Sequence, residues 1–501
     1  MPTFLIVIIV VLVFVAMLMV FLVINALRLK PTQIKNPLPP SATLPTEAGN
    51  EQETTRYFQE QEVITRFQEL LRLPTIWGAE LPNPDRSSFD EFLPTLRRLY
   101  PRVFAELELT TIDTYGIMLR WVGADPEAQP VILMAHYDVV GAKPEEWSHA
   151  PFAADIADGR IWARGSVDTK CILAALFEAT EHLLAQGYKP PRDIYLCSSN
   201  CEEDMGTTAP NMIEYLHNRG ITPYLVLDEG GAIIDNPPLG VQRPFAVIGV
   251  AEKGICAAML TVDSEGGHAA TPSLQDATSK LILGLNTMLK TPAPSRLSAP
   301  IEMMLKELSA YGGFGLRLVF ANLWMFKPLV LKIMKGSSET AAMVRTTYAL
   351  TELEGSKALN VIPKQAKAGV NIRIDPSETI ETVVARLGSF FNNEANIEVI
   401  NSSEPSPISP FDDEAFDYLR KIINSVYPEV GIAPYIQSSA SDARHFSRVC
   451  LHTYRFAGFV FRADQRAAIH GKDENLDVES YLRGVGFYRE FIRQLDMLDD
   501  L

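Results

Sequence analysis

Apolar residues are unevenly distributed along the chain, and the densest run lies at the amino terminus. Every residue from Phe4 to Ile24 is apolar. A helix of this length would be about 31 Å long, which matches the hydrocarbon core of a bilayer. Arg28, Lys30 and Lys35 follow the run, and no charged side chain precedes it. The pattern predicts one membrane anchor over residues 4–26. The alternative is a cleaved signal peptide, which has a basic start and a shorter apolar stretch.

Proline and polar residues follow the apolar run. Pro31, Pro37 and Pro45 are among the prolines that interrupt this stretch. Proline at this density is incompatible with the interior of a helix. The composition therefore predicts an extended linker over residues 27–56, with the globular part beginning at residue 57.

Short apolar runs alternate with helical patterns between residues 57 and 248. Val131–Ala135 and Asp193–Ser198 have the continuous apolar character of strands that are buried on both faces. Cys171–Ala185 has helical spacing and is followed by Gly187, a residue typical of helix ends. This alternation predicts a doubly wound α/β domain with helices on both faces of an open sheet.

The hydrophobic pattern of the predicted strands changes after residue 248. Ala257–Val262 and Ala366–Ile374 resemble half-exposed strands, whereas Asp276–Met288 and Thr379–Phe391 have helical spacing. These elements predict a small α+β domain of ferredoxin-like type, inserted at residues 249–403. From Phe411 a helical pattern runs to the carboxyl terminus, so that residues 404–501 would complete the first domain.

One segment of the insert, Phe314–Lys335, is unusually apolar for its position. It contains Phe320, Trp324 and Phe326 among many aliphatic residues. A buried helix kinked at Pro328 is one interpretation. The other is an amphipathic surface that binds an apolar substrate or contacts lipid.

Composition and charge narrow the range of functions. The formal net charge is −16, from 45 Lys and Arg against 61 Asp and Glu. This argues against a nucleic-acid-binding protein, which needs a basic face. Five cysteines in 501 residues exclude a disulfide scaffold, and buried neutral thiols are the simpler interpretation.

Acidic and imidazole side chains recur where the predicted strands end or a helix begins. At the carboxyl ends of neighbouring strands such groups would repel one another unless a cation neutralised them. Imidazole and carboxylate ligands suit zinc, and two ions sharing one carboxylate would account for the number of candidates. The candidate residues are His136, Asp138, Asp168, Glu202, Glu203, Asp228 and, far downstream, His470.

The order of these motifs carries a family resemblance. HYDVV, GSVDTK, CEED, LDEGG, GGHAATP, NVIP, NIRIDP, SDARHF and IHG follow one another from about residue 60 to the carboxyl terminus. The chain resembles the zinc-dependent exopeptidase family of aminoacylase-1, carboxypeptidase S and glutamate carboxypeptidase. The stretches FANLWMFKPL and MVRTTYALTELEGSKALNVIP resemble the branch that contains N-fatty-acyl-amino-acid synthase/hydrolases and carboxypeptidase S.

The resemblance implies a site with two Zn²⁺ ions. His136 and Asp228 should bind one zinc, Glu203 and His470 the other, and Asp168 should bridge them. Two positions depart from the common family pattern, because Cys201 and Thr169 stand where family members often have acids. Neither position is expected to bind metal directly.

The resemblance also implies catalytic and substrate-binding residues. Asp138 should hold His136 from behind, and Glu202 should be the general base that takes a proton from the attacking water. His268 in the insert should stabilise the oxyanion, while Asn360 and Arg373 should hold the substrate carboxylate.

These features together predict a membrane-anchored di-zinc amidohydrolase that cleaves, or forms in reverse, the amide bond of N-acyl amino acids. A fatty acyl group is favoured by the branch resemblance, the apolar insert segment and the anchor. One alternative is a carboxypeptidase acting on short peptides, and another is a catalytically silent binding protein of the same fold. The family resemblance leaves both a monomer and a homodimer open.

Overall fold

The computed structural model describes residues 3–41, 59–78 and 86–498. Positions 42–56 of the predicted linker lie outside these ranges. The helices are α1 (Thr3–Arg28), α2 (Glu60–Leu71), α3 (Ser87–Leu99), α4 (Pro101–Glu106), α5 (Lys170–Ala185), α6 (Thr208–His217), α7 (Ala277–Lys290), α8 (Ala299–Ala310), α9 (Phe314–Phe320), α10 (Leu323–Met334), α11 (Ser338–Ala342), α12 (Ile380–Ser389), α13 (Glu414–Val426), α14 (Ala443–Phe446), α15 (Ala463–Ala468) and α16 (Val478–Arg493).

The strands are short in the large domain and longer in the insert. They are β1 (Glu108–Ile112), β2 (Gly116–Trp121), β3 (Val131–Met134), β4 (Asp155–Ala157), β5 (Arg160–Trp162), β6 (Ile194–Ser198), β7 (Leu225–Asp228), β8 (Ile233–Ile234), β9 (Phe245–Glu252), β10 (Gly254–Asp263), β11 (Gly267–His268), β12 (Thr347–Glu354), β13 (Val361–Ile362), β14 (Gln365–Ile374), β15 (Asn396–Ser403), β16 (Gly431–Gln437), β17 (His452–Arg455), β18 (Val460–Phe461) and β19 (Asn475–Asp477).

The main sheet has a parallel centre. Within the described residues its strand order is β1-β2-β6-β3-β7-β17-β9-β8-β18, with β16 paired to β9. Strand β3 runs parallel to both β6 and β7, and β7 runs parallel to β17. The carboxyl ends of these strands therefore meet at one edge of the sheet, where ligands bind in open α/β folds.

Both faces of this sheet are covered, which explains the continuous apolar character of β3. Val131 and Leu133 pack into the core that includes α5 and α16, whereas Ile132 and Met134 pack into a second core that includes α6 and α14. Side chains alternate between the faces of a strand, so a strand with helices on both sides must be apolar throughout. The predicted doubly wound α/β fold is confirmed.

The insert contains a separate antiparallel sheet with its own core. Within the described residues its strand order is β12-β14-β10-β15, and α7 and α12 pack against it. Strand β10 pairs with β14 and β15 in antiparallel registers. This is the small α+β domain that the sequence pattern predicted.

The carboxyl-terminal region is not uniformly helical, so that prediction was wrong. Strands β16 to β19 lie between α13 and α16. Strand β17 (HTYR) has no apolar run, and it is held by parallel pairing with β7, more than 200 residues earlier. A window of local sequence has no signal for such a partner.

Helix α1 is the one described helix that is long and apolar enough to span a membrane by itself. Helices α9 and α10 meet the same test only as a bent pair, with an angle of 108° between them. The break lies at Ala321–Asn322, because the Nδ2 of Asn322 donates to the carbonyl of Leu318 at 2.8 Å. Pro328, where one interpretation placed a kink, lies inside α10, six residues after this break.

Candidate active site

The candidate residues come together at the carboxyl edge of the main sheet. His136 follows β3, Glu202 and Glu203 follow β6, and Glu229 follows β7. Strand ends that are fixed by paired neighbours place such side chains rigidly. Asp168 enters from the loop before α5, and His470 enters from the loop after α15.

Two imidazoles and three carboxylates form the centre of this cluster. The Nε2 of His136 lies 3.0 Å from Asp168 Oδ1 and 3.5 Å from Glu229 Oε1. The Nε2 of His470 lies 3.0 Å from Asp168 Oδ2 and 3.0 Å from Glu203 Oε2. Asp168 thus presents one oxygen to each histidine, the arrangement expected of a carboxylate shared by two cations.

The donor set fits divalent metal. His136, Asp168 and Glu203 offer ligand atoms within 4.8 Å of one another, and so do His136, Glu202 and Glu229. Such a mixture of imidazole nitrogen and carboxylate oxygen suits zinc.

The shifted pKa values of the cluster also favour a bound cation. Burial raises the pKa of Glu229 to about 8. The hydrogen bonds that His470 donates to Asp168 and Glu203 raise the pKa of its imidazole to about 10. Glu229 would therefore hold a proton near neutral pH when no cation is bound, and a bound cation would relieve the cost of its ionisation.

Asp228 turns toward a backbone N–H, and its assignment as a metal ligand stays a prediction. It is the last residue of β7, is 2% exposed, and accepts a hydrogen bond from the backbone N–H of Ala443 at 2.7 Å. The next residue, Glu229, faces His136 instead. Successive side chains point in opposite directions along an extended backbone, so only one of two adjacent acids faces the cluster.

Asp138 lies beside His136, on the side of the imidazole that faces away from Asp168. It is fully buried, and its Oδ1 lies 3.5 Å from Nδ1 of His136. Its two carboxylate oxygens accept the backbone N–H groups of Glu202 at 3.2 Å and Glu203 at 3.1 Å. Asp138 thus orients both the imidazole, whose Nδ1 lies 3.0 Å from the Asp138 carbonyl oxygen, and, through its carboxylate, the loop that carries the glutamate pair.

Glu202 is held by a buried arginine whose role the sequence left unassigned. The Nη1 of Arg444 donates to Glu202 Oε1 at 3.1 Å, and the two side chains are 3% and 10% exposed. Burial raises the pKa of the Glu202 carboxyl well above its ordinary range. A carboxyl group with a raised pKa is suited to accepting a proton and passing it on near neutral pH.

Sequence reasoning missed Glu474. This carboxylate is fully buried and accepts hydrogen bonds from Arg164 Nη1 at 2.6 Å and from the backbone N–H groups of Val167 and Asp168 at 2.7 and 3.0 Å. It therefore fixes the loop that presents Asp168. The only local signal was its place four residues after His470, because its partners are about 300 residues away.

Three predicted residues lie outside the cluster. His268 is exposed on β11, opposite Val361 of β13, and the carbonyl of Asn360 accepts the N–H of Ala269 at 3.1 Å. Arg373 lies on β14, half-buried. His268 and Asn360 are thus close to each other, but neither they nor Arg373 is among the described residues that line the cavity at the cluster.

That cavity has a volume of about 930 Å³. Asp168, Glu203 and His470 line one part, and Met304 and Leu308 of α8 line another. About half of its other lining residues are apolar, including Ile172, Ile234, Val247, Met343, Ile436, Phe461 and Ile469, whereas Lys253, Glu339, Asp375 and Arg466 are charged.

Proteins with known names are similar in sequence to most of this chain. The human N-fatty-acyl-amino acid synthase/hydrolase PM20D1 is 32% identical over 470 residues, covering 91% of this chain and 93% of that protein. The probable carboxypeptidase S-like 2 of Dictyostelium discoideum is 31% identical over 419 residues, covering 82% and 80%.

Solved structures share the fold. The M20 family metallo-carboxypeptidase Sso-CP2 of Sulfolobus solfataricus has a TM-score of 0.64 at 18% identity, with 86% of this chain and 98% of that chain covered. Human carnosine dipeptidase 1 has a TM-score of 0.61 at 17% identity, with 92% and 100% covered. Residues 132–494 match the sequence description of peptidase family M20/M25/M40. The predicted resemblance is confirmed: this chain belongs to the metal-dependent hydrolases of peptidase family M20/M25/M40.

Proposed function

We propose that this protein hydrolyses the amide bond of N-fatty-acyl amino acids at a di-zinc centre. The observation that carries the proposal is the cavity, which joins the cluster of metal-binding type to an apolar region beside α8. Its volume is in the range of sites for small organic ligands, and an apolar wall suits an acyl chain. The relatives named as N-fatty-acyl-amino acid synthase/hydrolases support the same substrate class.

The chain's own residues divide into two sets of metal ligands. His136 and Glu229 would hold one zinc, Glu203 and His470 the other, and Asp168 would contact both. Bound zinc supplies Lewis acidity and lowers the pKa of water. Glu229 replaces Asp228 in this proposal because Asp228 is committed to the N–H of Ala443.

Glu202 would carry the proton. It lines the cavity beside the cluster and would take a proton from the attacking water, then donate it to the leaving nitrogen. Arg444 would keep the carboxylate aimed at the cavity. In synthesis of the amide, the same group would move the proton in the opposite direction.

His268, Asn360 and Arg373 stay predictions as oxyanion and carboxylate-binding residues. In the structure of one chain, His268 and Asn360 lie on an exposed two-stranded ladder. A homodimer also stays a prediction.

A substitution in the cavity tests the acyl-chain proposal. Ala342 lines the cavity at the end of α11, half-buried. We expect Ala342→Phe to lower kcat/KM for an N-oleoyl amino acid about tenfold, the effect of losing contacts with about two methylene groups. Cleavage of the matching N-acetyl amino acid should be nearly unchanged.

The matched control is Ala310→Phe, at the half-buried end of α8 and outside the cavity lining. It should leave both substrates unaffected. An equal loss for short and long acyl groups would contradict the proposed chain site. Faster cleavage of apolar dipeptides than of N-oleoyl amino acids by the unaltered enzyme would favour the carboxypeptidase alternative.

We also propose that α1 is a retained anchor and is not removed as a signal peptide. Its carboxyl-terminal part is packed against the insert: Leu22 and Ala26 are buried, and the Nδ2 of Asn25 donates to Asn322 Oδ1 at 2.8 Å. Removal of α1 would leave the buried amide of Asn322 without these partners, a cost of about 1–3 kcal/mol.

Membrane extraction tests retention. We expect the full-length protein to stay in the membrane pellet after an alkaline carbonate wash and to give the amino-terminal peptide in mass spectrometry. A soluble product whose sequence begins after residue 28 would contradict the anchor.

A further inference from the structure

Helices α9 and α10 form a bent pair, here called the apolar hairpin (residues 314–334), whose outer surface is strongly hydrophobic. Trp324 is 63% exposed, Leu329 47% and Ile333 65%. Met325, Leu329 and Ile333 are spaced four residues apart and so share one side of α10. A contiguous exposed apolar stripe of this kind marks an interaction surface.

The hairpin contacts α1 near the carboxyl-terminal end of that helix. The Nδ2 of Asn322, at the bend, donates to the carbonyl of Leu22 at 3.0 Å, and the ring of Trp324 lies 6.4 Å from that of Phe21. Asn322 is fully buried. The polar side chain at the bend therefore has hydrogen-bond partners within the protein, as polar groups embedded in a membrane require.

The level of these contacts suits shallow insertion into lipid. Phe21 lies seven residues before Arg28, the basic residue in the last turn of α1. At 1.5 Å per residue, Trp324 would lie about 10 Å deeper than Arg28 along the α1 axis. Helices that lie in the membrane interface bury their apolar face to about 5–10 Å.

Basic side chains flank the apolar stripe. Lys332 and Lys335 are exposed, and Lys327 pairs with Glu302 at 2.7 Å. Long basic side chains on such a helix can reach the headgroups while their methylene groups stay in apolar surroundings. The stripe is thereby complementary to the boundary between acyl chains and headgroups.

We propose that the apolar hairpin is a second membrane element, inserted into the leaflet on the side of the globular domains next to α1. Its occupant is lipid, because the stripe continues the apolar surface of α1 at the depth of that helix's final turns. The inference rests on the proposed retention of α1.

The hairpin would also place the cavity beside the leaflet. Phe320, Leu323 and Val330 of the hairpin share one core with Met304 and Leu308, which line the cavity from α8. Helix α8 is therefore a common wall between the inserted hairpin and the proposed acyl site.

Two labelled variants of the full-length protein in phosphatidylcholine vesicles test this inference. All five native cysteines are buried, so a new surface cysteine can be labelled selectively with a nitrobenzoxadiazole fluorophore. Ile333→Cys tests the hairpin. The matched control is Leu353→Cys on β12, in the same inserted domain, because Leu353 is 63% exposed and Ile333 65%.

We expect brominated phosphatidylcholine to quench the label at position 333 about fivefold more than the label at 353, since only the former would lie among acyl chains. Equal weak quenching of both labels would overturn the inference. Equal strong quenching would also overturn it, because the whole insert would then lie on lipid. Alkaline carbonate extraction of the same samples reports α1 separately, so failure of the anchor is distinguishable from failure of the hairpin.

Discussion

Glu202→Gln should reduce kcat for N-oleoyl amino acids by about a thousandfold, within the range for loss of a general base. The glutamine keeps the shape of the side chain and an oxygen that accepts from Arg444, which donates to Glu202 at 3.1 Å. The amide cannot take up a proton near neutral pH. KM should change little, because the substitution removes proton transfer and leaves the cavity intact.

Three measurements make this result specific. Steady-state kinetics give kcat and KM, thermal unfolding reports the fold, and elemental analysis gives zinc per chain, which should be unchanged. Asp204→Asn is the matched control, since Asp204 lies on the same loop and is exposed. It should retain nearly full activity. A Glu202→Gln enzyme that kept more than about a tenth of wild-type kcat would rule out the proposed general base.

The central strands of the main sheet could be predicted from sequence because they are apolar on both faces. Val131–Met134 and Ile194–Ser198 have this character and were placed to within one residue at each end. The residues that follow such strands must meet at one sheet edge, so His136 and Glu203 could be assigned to one site before their distances were known.

Long-range pairing explains most of what the sequence did not reveal. Strand β17 is set by its partner β7, and Glu474 acts on a loop that lies about 300 residues earlier. The break at Asn322 depends in part on a carbonyl of α1, also about 300 residues away. Local propensity and periodicity contain none of these partners.

The two acids at the end of β7 show a second limit of prediction from sequence. Motif matching placed LDEGG among the predicted site segments, but this segment contains two adjacent acids, of which Asp228 is buried and Glu229 is partly buried. Only the direction of each side chain separates them. In the structure Glu229 faces His136, whereas Asp228 turns toward Ala443 at the start of α14, the helix that carries Arg444.

Paired substitutions should separate these two roles by metal content. We expect Glu229→Gln to lose about half of the bound zinc after dialysis against a mild chelator and to lower kcat about a hundredfold or more, since it would remove a direct ligand. Asp228→Asn should keep full zinc, because its amide oxygen can still accept the N–H of Ala443. Its activity should fall less, through small displacements of Arg444 and Glu202. The reverse pattern, with zinc lost from Asp228→Asn and kept by Glu229→Gln, would restore Asp228 as the ligand that sequence comparison first indicated.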